Sequence, residues 1–189
     1  MYPDVFLLKS GSILKDITGK ILEARSSVTL VISKSKRIII DTGLLGEAEL
    51  IIEALALKEL TTDDIDIVIN THSHADHNGN NDLFNNAEFL TPGEADMIAP
   101  NVIAMETPGH TTDSISVKID AEDVLIVAGD ALPTLNNFLK NVPPAIHVNR
   151  DQSIASMNRI ISNASIVVPG HDHPFSVIEK TYISFSNLG

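Results

Sequence analysis

The sequence has no cysteine and no tryptophan, and aromatic residues make up only 4% of its 189 positions. Without cysteine there is no disulfide framework, no thiolate metal site and no thiol nucleophile, so any metal must be held by imidazole and carboxylate. Scarce aromatics leave few stacking platforms for single-stranded nucleic acid and require a mostly aliphatic core. Basic residues are also short: 13 Lys and Arg stand against 25 Asp and Glu, a formal net charge of -12. The basic footprint of a nucleic-acid binder is missing from that balance, which disfavours extended nucleic acid as a partner. No stretch approaches the roughly 20 apolar residues of a membrane span, and the opening MYPDVFLLKSG lacks the basic flank and long apolar run of a signal peptide. A cytoplasmic protein without a membrane partner is expected.

A hydrophobic content of 43% is enough for a closed core in one domain over 1–189, and no repeat, low-complexity tract or linker divides the chain. Short β-branched runs at 5–9, 27–32 and 37–41 read as strands. Over 46–60, GEAELIIEALALKEL predicts an amphipathic helix, with Leu50, Ile51, Ala54 and Leu57 on the core face and Glu47, Glu49, Glu53 and Lys58 on the other. The nearly continuous apolar run 65–70 predicts a strand covered on both sides. A short helix is expected at 80–84, with strands at 88–90, 101–106, 114–119, 124–127 and 165–168. The stretch 131–148, rich in Pro and Asn, reads as a long functional loop. Asp151 is the expected N-cap of a helix over 152–161, with Ile154, Met157 and Ile161 on one face.

Five segments share one arrangement: IIIDTG, IVINTHSH, METPGH, LIVAGD and IVVPGH each place Asp or His just past the carboxyl end of an apolar strand. Strand ends on one rim of a packed sheet can point several polar groups at one volume. The centre of this pattern is His72-Ser73-His74-Ala75-Asp76-His77, an H-x-H-x-D-H motif that arises by accident in about one such chain in a thousand. A tight loop there lets His72 and His74 project to one side and Asp76 and His77 to the other, as two partial metal shells. His110, Asp130 and His171, each at another strand end, are the candidates for completing them. Asp41, at the end of IIID, reads as an acceptor that fixes the tautomer of a ligating histidine, or else as a turn residue before Gly43.

At these residues the chain resembles the metallo-β-lactamase superfamily, whose order HxHxDH, His, Asp, His it follows over roughly 25–178. The segments VTLV, IDTG, THSHADHNGN, TPGHTTDS, VAGD and VPGHDHPF look most like the compact subgroup of metallo-β-lactamase domain-containing protein 1. The resemblance implies a four-layer αββα sandwich with a dinuclear site on one edge. It implies a first metal group of His72, His74 and His110, a second of Asp76, His77 and His171, and Asp130 bridging both. The implied cofactor is two divalent metal ions, zinc first, with manganese or iron as alternatives. Asp in the bridging position and the lack of an export signal disfavour antibiotic hydrolysis.

Two divalent ions roughly 3.5 to 4 Å apart can activate a bridging water and polarise a carbonyl or phosphoryl oxygen, so no Ser or Cys nucleophile is needed. Asp76 is the candidate for orienting attack and passing a proton to the leaving group. The expected function is therefore dinuclear hydrolysis of a small-molecule ester, thioester, lactone or phosphodiester. The subgroup resemblance implies RNA or nucleotide phosphodiesters, whereas the acidic charge favours a small molecule or a short nucleotide. A mononuclear iron oxidoreductase resembling persulfide dioxygenases is the rival from another class. His147 reads as a surface histidine or as a proton donor over the site, and His173 as a neighbour of the site or a surface residue. Asn136, Asn137, Asn149 and Arg150 are candidates for contacting an anionic substrate. A homodimer is compatible with a compact hydrolase, although no sequence feature shows it.

Overall fold

The computed structural model describes residues 2–184. The N-terminal half forms β1 (Asp4–Lys9), β2 (Ser12–Lys15), β3 (Ile21–Arg25), β4 (Val28–Ser33) and β5 (Lys36–Ile40), of which β1, β4 and β5 are the expected β-branched runs. They are followed by α1 (Ala48–Ala56), β6 (Ile67–Ile69), the single turn α2 (Ala75–Asn78) and β7 (Glu88–Leu90). Five of these strands make one sheet in the order β1-β4-β5-β6-β7. The β5-β6 and β6-β7 pairs are parallel. Parallel strands need cover on both faces, and β5 shows how the sequence supplies it. Ile38 and Ile40 face the second sheet, while Ile39 points the other way, onto Ile51 and Leu55 of α1; all five are fully buried.

The second sheet continues with β8 (Met97–Ala99), β9 (Val102–Glu106), β10 (Ile115–Asp120) and β11 (Val124–Gly129). After α3 (Leu135–Lys140) and α4 (Arg150–Asn163) it closes with β12 (Ile166–Pro169), β13 (Phe175–Ser176) and β14 (Thr181–Tyr182). Its seven strands run in the order β14-β13-β12-β11-β10-β9-β8. Met157 and Ile160 of α4 and Leu135 of α3 pack on its outer face with Ile126, Val167 and Phe175. The layers are thus α1, five strands, seven strands, then α3 and α4, the αββα sandwich. A third apolar cluster, with Val31, Ile69, Val117 and Val168 among its fully buried members, fills the space between the sheets.

Several local expectations differ from the structure. The hairpin β2-β3, paired in neither large sheet, was absent from the sequence reading, as were β8, β13 and β14. The loop over 131–148 contains α3, capped by Thr134, whose side chain accepts from the Asn137 amide. The N-cap of α4 is Asn149 rather than Asp151, and its side chain accepts a 3.1 Å hydrogen bond from the Gln152 amide. In α1 the helical face is rotated: Ile51 and Leu55 are buried, whereas Leu50 is 52% exposed and Leu57 is 84% exposed beyond the end of the helix. Leu57 is therefore not a core residue. Glu47, expected on the solvent face, is instead buried, because Lys9 and Arg25 reach it from β1 and the end of β3.

Candidate metal centre

Both sheets deliver strand ends to one rim, where hydrogen bonds stitch them together. Ser27 donates from its amide to Gly170 O at 2.8 Å and from its hydroxyl to Pro169 O at 2.9 Å, while the Ile115 amide donates to Thr71 O at 2.8 Å. Asp41 follows β5, His72 follows β6, His110 follows β9, Asp130 follows β11 and His171 follows β12. His72 lies in a bend after β6, His74 is the extended residue that precedes α2, and Asp76 and His77 lie within its turn. That change of backbone turns the two halves of the motif in different directions. The rim has little spare room: a Cβ on Gly170 would come within 2.2 Å of Asp130 Oδ1.

The imidazoles converge. Ring centroids are 4.1 Å apart for His72 and His77, 4.6 Å for His72 and His74, 4.7 Å for His74 and His110, and 5.3 Å for His77 and His171. Three sets of ligand-type atoms lie within 4.8 Å of one another: His72, His74 and His110; His72, His77 and Asp130; Asp76, His77 and His171. Asp130 sits between the flanking groups, with Oδ2 3.3 Å from His110 Nε2, and Oδ1 3.4 Å from His77 Nε2 and 3.0 Å from His171 Nε2. Asp76 Oδ2 lies 3.5 Å from His171 Nε2.

Three rings are held from behind at Nδ1, which leaves Nε2 facing the shared volume. His77 Nδ1 lies 2.8 Å from Asp41 Oδ2, His110 Nδ1 lies 2.7 Å from Ile146 O, and His171 Nδ1 lies 2.9 Å from Arg25 O. Asp41 is fully buried and also accepts from the Thr71 amide at 2.7 Å and the Thr71 hydroxyl at 2.9 Å. Its φ of +59° places it in the left-handed region, where Asp is tolerated better than most side chains. This arrangement fixes a tautomer in the way that ligating histidines require.

A cation fits the donor set. His72 Nε2, His77 Nε2 and Asp130 Oδ1 are buried without a hydrogen-bond partner. Orphaned buried polar atoms are costly, and three aimed into one space lined by imidazole and carboxylate are satisfied together by a divalent ion. Charge polarises the cluster further. Burial and the His77 charge push the His72 pKa down to about 2. For His77, burial acts downward but is outweighed by the Asp41 and Asp130 carboxylates, which raise it to about 10. Burial works against ionised Asp130, yet His171 and His77 hold its carboxyl well below the usual carboxylate range.

Comparison with known proteins places this geometry. Residues 23–103 match the family described as the metallo-beta-lactamase superfamily. Over 177 residues the chain is 37% identical to a protein of Methanocaldococcus jannaschii named as a probable metallo-hydrolase, covering 88% of this chain and 85% of that one. The chain belongs to the metallo-β-lactamase superfamily. Within it, the metallo-beta-lactamase domain-containing protein 1 of Mus musculus is 29% identical over 80% of this chain and 65% of its own length. Solved metallo-β-lactamase folds superpose well. A metallo-beta-lactamase of Thermotoga maritima gives a TM-score of 0.74 at 22% identity, covering 93% of this chain and 100% of that one. The B. thuringiensis AiiA protein, with N-decanoyl-L-homoserine bound at its active site, gives 0.73 at 20% identity over 91% and 94%. These relatives make the chain a metal-dependent hydrolase, and its His/Asp groups are the candidates for holding the metal.

The centre opens into a cavity of about 370 Å³ lined by His74, Asp76, His110, Asp130 and His171, with Ile13, Ile21, Leu44 and Ile146 among its apolar walls. His147 and Asn149 are not part of this lining. Both are exposed, and His147 Nδ1 donates to Pro144 O at 2.7 Å, whereas Asn149 caps α4. Arg150 is likewise turned to its neighbour Asp151 at 3.8 Å. Sequence reasoning missed Glu47, which ties Lys9 and Arg25 at 3.2 Å each behind the Arg25 carbonyl that anchors His171. It also missed the Ile146 carbonyl, through which the 131–148 segment holds His110. Such backbone anchors leave no signature in side-chain identity. No helix among the described residues is long and apolar enough to cross a membrane.

Proposed function

We propose that the chain is a dinuclear metal-dependent hydrolase of small-molecule ester-type substrates: carboxylic esters, thioesters, lactones or phosphodiesters. The observation that carries this reading is the set of orphaned atoms on His72, His77 and Asp130, with His74, His110, Asp76 and His171 completing a group on each side. His72, His74 and His110 would hold one ion and Asp76, His77 and His171 the other, with Asp130 shared. Zinc is the first choice, with manganese or iron as alternatives. When bound, such a pair supplies an activated water at neutral pH and polarises the oxygen of the scissile group.

The chain's own residues do the rest. Asp76, on the cavity wall with its side chain 19% exposed, orients the water, takes its proton and returns it to the departing oxygen or sulfur. Water oxygen bonds to the acyl carbon or phosphorus, the bond to the leaving group breaks, and an acid and an alcohol or thiol result. Asp41 keeps His77 in the tautomer whose Nε2 lone pair faces the centre. Apolar side chains on the cavity wall exclude bulk water and strengthen each polar contact inside.

Metal analysis of the purified protein, coupled to a screen of chromogenic phosphodiesters, thioesters and lactones, tests the reading. About two metals per chain with metal-dependent turnover supports it. A single iron per chain with oxygen consumption overturns it in favour of an iron oxidoreductase. Turnover of short nucleotide phosphodiesters alone would move the substrate class without changing the chemistry.

A further inference from the structure

The cavity beside Asp76 continues into a second groove of about 600 Å³, and the two share Ile13, Lys15, Thr134, Asn137, Ala145 and His171. The two compartments differ in chemistry. Aliphatic side chains dominate the walls of the first, whereas Asn136, Lys140, His173 and Tyr182 give the second a polar lining. Two lysines from separate elements line it: Lys15 at the end of β2 and Lys140 in the last turn of α3.

Eight of the 13 basic residues are in no ion pair among the described residues, and of those eight only Lys15 and Lys140 line the two compartments at the centre. The other cations near the centre, Lys9 and Arg25, are tied to Glu47. The acid lining the groove, Asp172, keeps its negative charge but is turned to three neutral donors and pairs with neither lysine, so two cations stand against one anion. Asp172 Oδ2 accepts from the Leu135 amide at 3.1 Å and the Tyr182 hydroxyl at 3.0 Å, and Oδ1 accepts from the His173 amide at 2.9 Å. Around this groove a surface that otherwise repels anions is locally arranged to receive one.

We propose that the substrate is bipartite: its scissile ester lies in the apolar cavity beside Asp76, and its non-reacting end carries a carboxylate or phosphate that seats in the groove between Lys15 and Lys140. The inference rests on the hydrolase reading above and deepens it by naming a substrate class, a small anionic ester. Two lysines match one anionic group and not the many phosphates of a polynucleotide. Two partly screened ion pairs together give about a tenfold preference for the anionic substrate at low ionic strength, and salt weakens it.

The test compares three esters on the metal-loaded protein: 4-nitrophenyl pentanoate, its mono-4-nitrophenyl glutarate counterpart and the matching ω-phosphonate. The expected result is a kcat/KM for an anionic ester about tenfold above the neutral one, carried by KM, with the larger ratio showing which anion is preferred. That ratio falls to about one in Lys15→Gln/Lys140→Gln protein of unchanged metal content. Turnover of all three esters with no anionic preference, or with one that survives in the double variant, overturns the inference and leaves the hydrolase reading standing. A second readout is independent of turnover: titration with inorganic sulfate, followed by the amide NMR signals of Lys15, Asn136 and Lys140. Saturable shifts that vanish in the double variant, with no metal-dependent turnover of these esters or of the phosphodiesters, thioesters and lactones of the screen above, keep the anion site and sink the hydrolase reading. Absence of shifts in the unmodified protein overturns the anion site.

Discussion

Asp41→Asn isolates the part of the centre that depends on tautomer rather than on ligand identity. Asn has the same shape and tolerates the left-handed φ of +59°, so the backbone is not the variable. What changes is hydrogen-bond polarity. Asp41 accepts from the Thr71 amide at 2.7 Å, from the Thr71 hydroxyl at 2.9 Å and faces His77 Nδ1 at 2.8 Å. If the new amide keeps its oxygen on the Thr71 amide, its NH2 meets His77 Nδ1, which must then accept. The ring hydrogen moves to Nε2 and faces Asp130 Oδ1, 3.4 Å away, where a metal ligand needs a lone pair. If the amide flips, NH2 opposes the Thr71 amide, and two buried donors face each other at a cost of about 1–3 kcal/mol. Either outcome weakens the group containing His77. Loss of such an outer partner lowers metal affinity by about 10- to 100-fold, equivalent to about 1.4–2.8 kcal/mol. Competition for zinc against a chromogenic chelator at pH 7.5 reads the two affinities, with circular dichroism reporting that the variant is folded. The expected pattern is one unchanged site, served by His72, His74 and His110, and one weakened site. A folded variant whose weaker site stays within threefold of the parent would refute the assignment of Asp41 as the group that orients His77.

Other consequences follow from the same geometry. In metal-free protein, His77 is raised to about 10 and His171 is also raised, so their stabilisation is complete below the unfolded value near 6.5 and is lost as pH rises towards 10. His72, lowered to about 2, and His110, also lowered, act in the opposite sense, costing stability as pH falls below about 6.5. Urea midpoints of metal-free protein should therefore peak near pH 6.5, and a midpoint still rising between pH 8 and 10 would contradict these environments. Because zinc must displace the His77 proton, calorimetry in buffers of different ionisation enthalpy should show proton release at pH 7. Gly170→Ala would drive a Cβ to within 2.2 Å of Asp130 Oδ1, so loss of metal with about 1–3 kcal/mol of destabilisation is expected from elemental analysis and denaturation. Glu47→Gln removes the carboxylate between Lys9 and Arg25 and should cost about 2–4 kcal/mol in urea unfolding, less than a fully buried pair because Arg25 is 38% exposed. An unchanged midpoint would show that the two cations find water at no cost.

The parts of the fold that were legible are those in which local pattern and burial coincide. The three isoleucines at the end of β5 and the apolar run of β6 are strands covered on both faces, and an uninterrupted apolar run states that directly. The strand-end residues were legible because Asp and His following such runs are unusual in themselves. The β2-β3 hairpin escaped because its strands alternate weakly, yet its turn was written in the sequence. Asp16 Oδ1 accepts from the Thr18 amide, the Thr18 hydroxyl and the Lys20 amide, and Gly19 takes a φ of +86°. Asp-x-Thr-Gly is thus a turn with a mechanism. The face of α1 was misread because Leu50, Leu57 and Ile51 are equally apolar in sequence, and only the position of β4 and β5 beneath the helix selects Ile51 and Leu55.

The distinction between Asp41 and Glu47 shows where sequence reading of a site stops. Both are buried carboxylates standing behind histidines of the centre, Asp41 in direct contact with His77 and Glu47 through the Arg25 segment whose carbonyl anchors His171. Asp41 could be picked out because its partner is delivered by the adjacent parallel strand: β5 and β6 end together, so a residue just after one reaches residues just after the other. Glu47 could not, because its two partners arrive from β1 and β3, and helical periodicity alone assigns it to solvent. The same contrast applies to the substrate side. Lys15 and Lys140 lie far apart in the chain and carry no motif, and they come to line one groove only in the folded chain. The candidate metal ligands are concentrated in six consecutive residues and three strand ends, while the proposed substrate contacts are distributed over segments that come together only in the folded chain. A Lys140→Gln substitution, which alters none of the proposed metal ligands, should therefore leave metal content unchanged while halving or more the discrimination between anionic and neutral esters. Loss of metal from that variant would show that α3 supports the centre and would remove the ground for separating the two compartments.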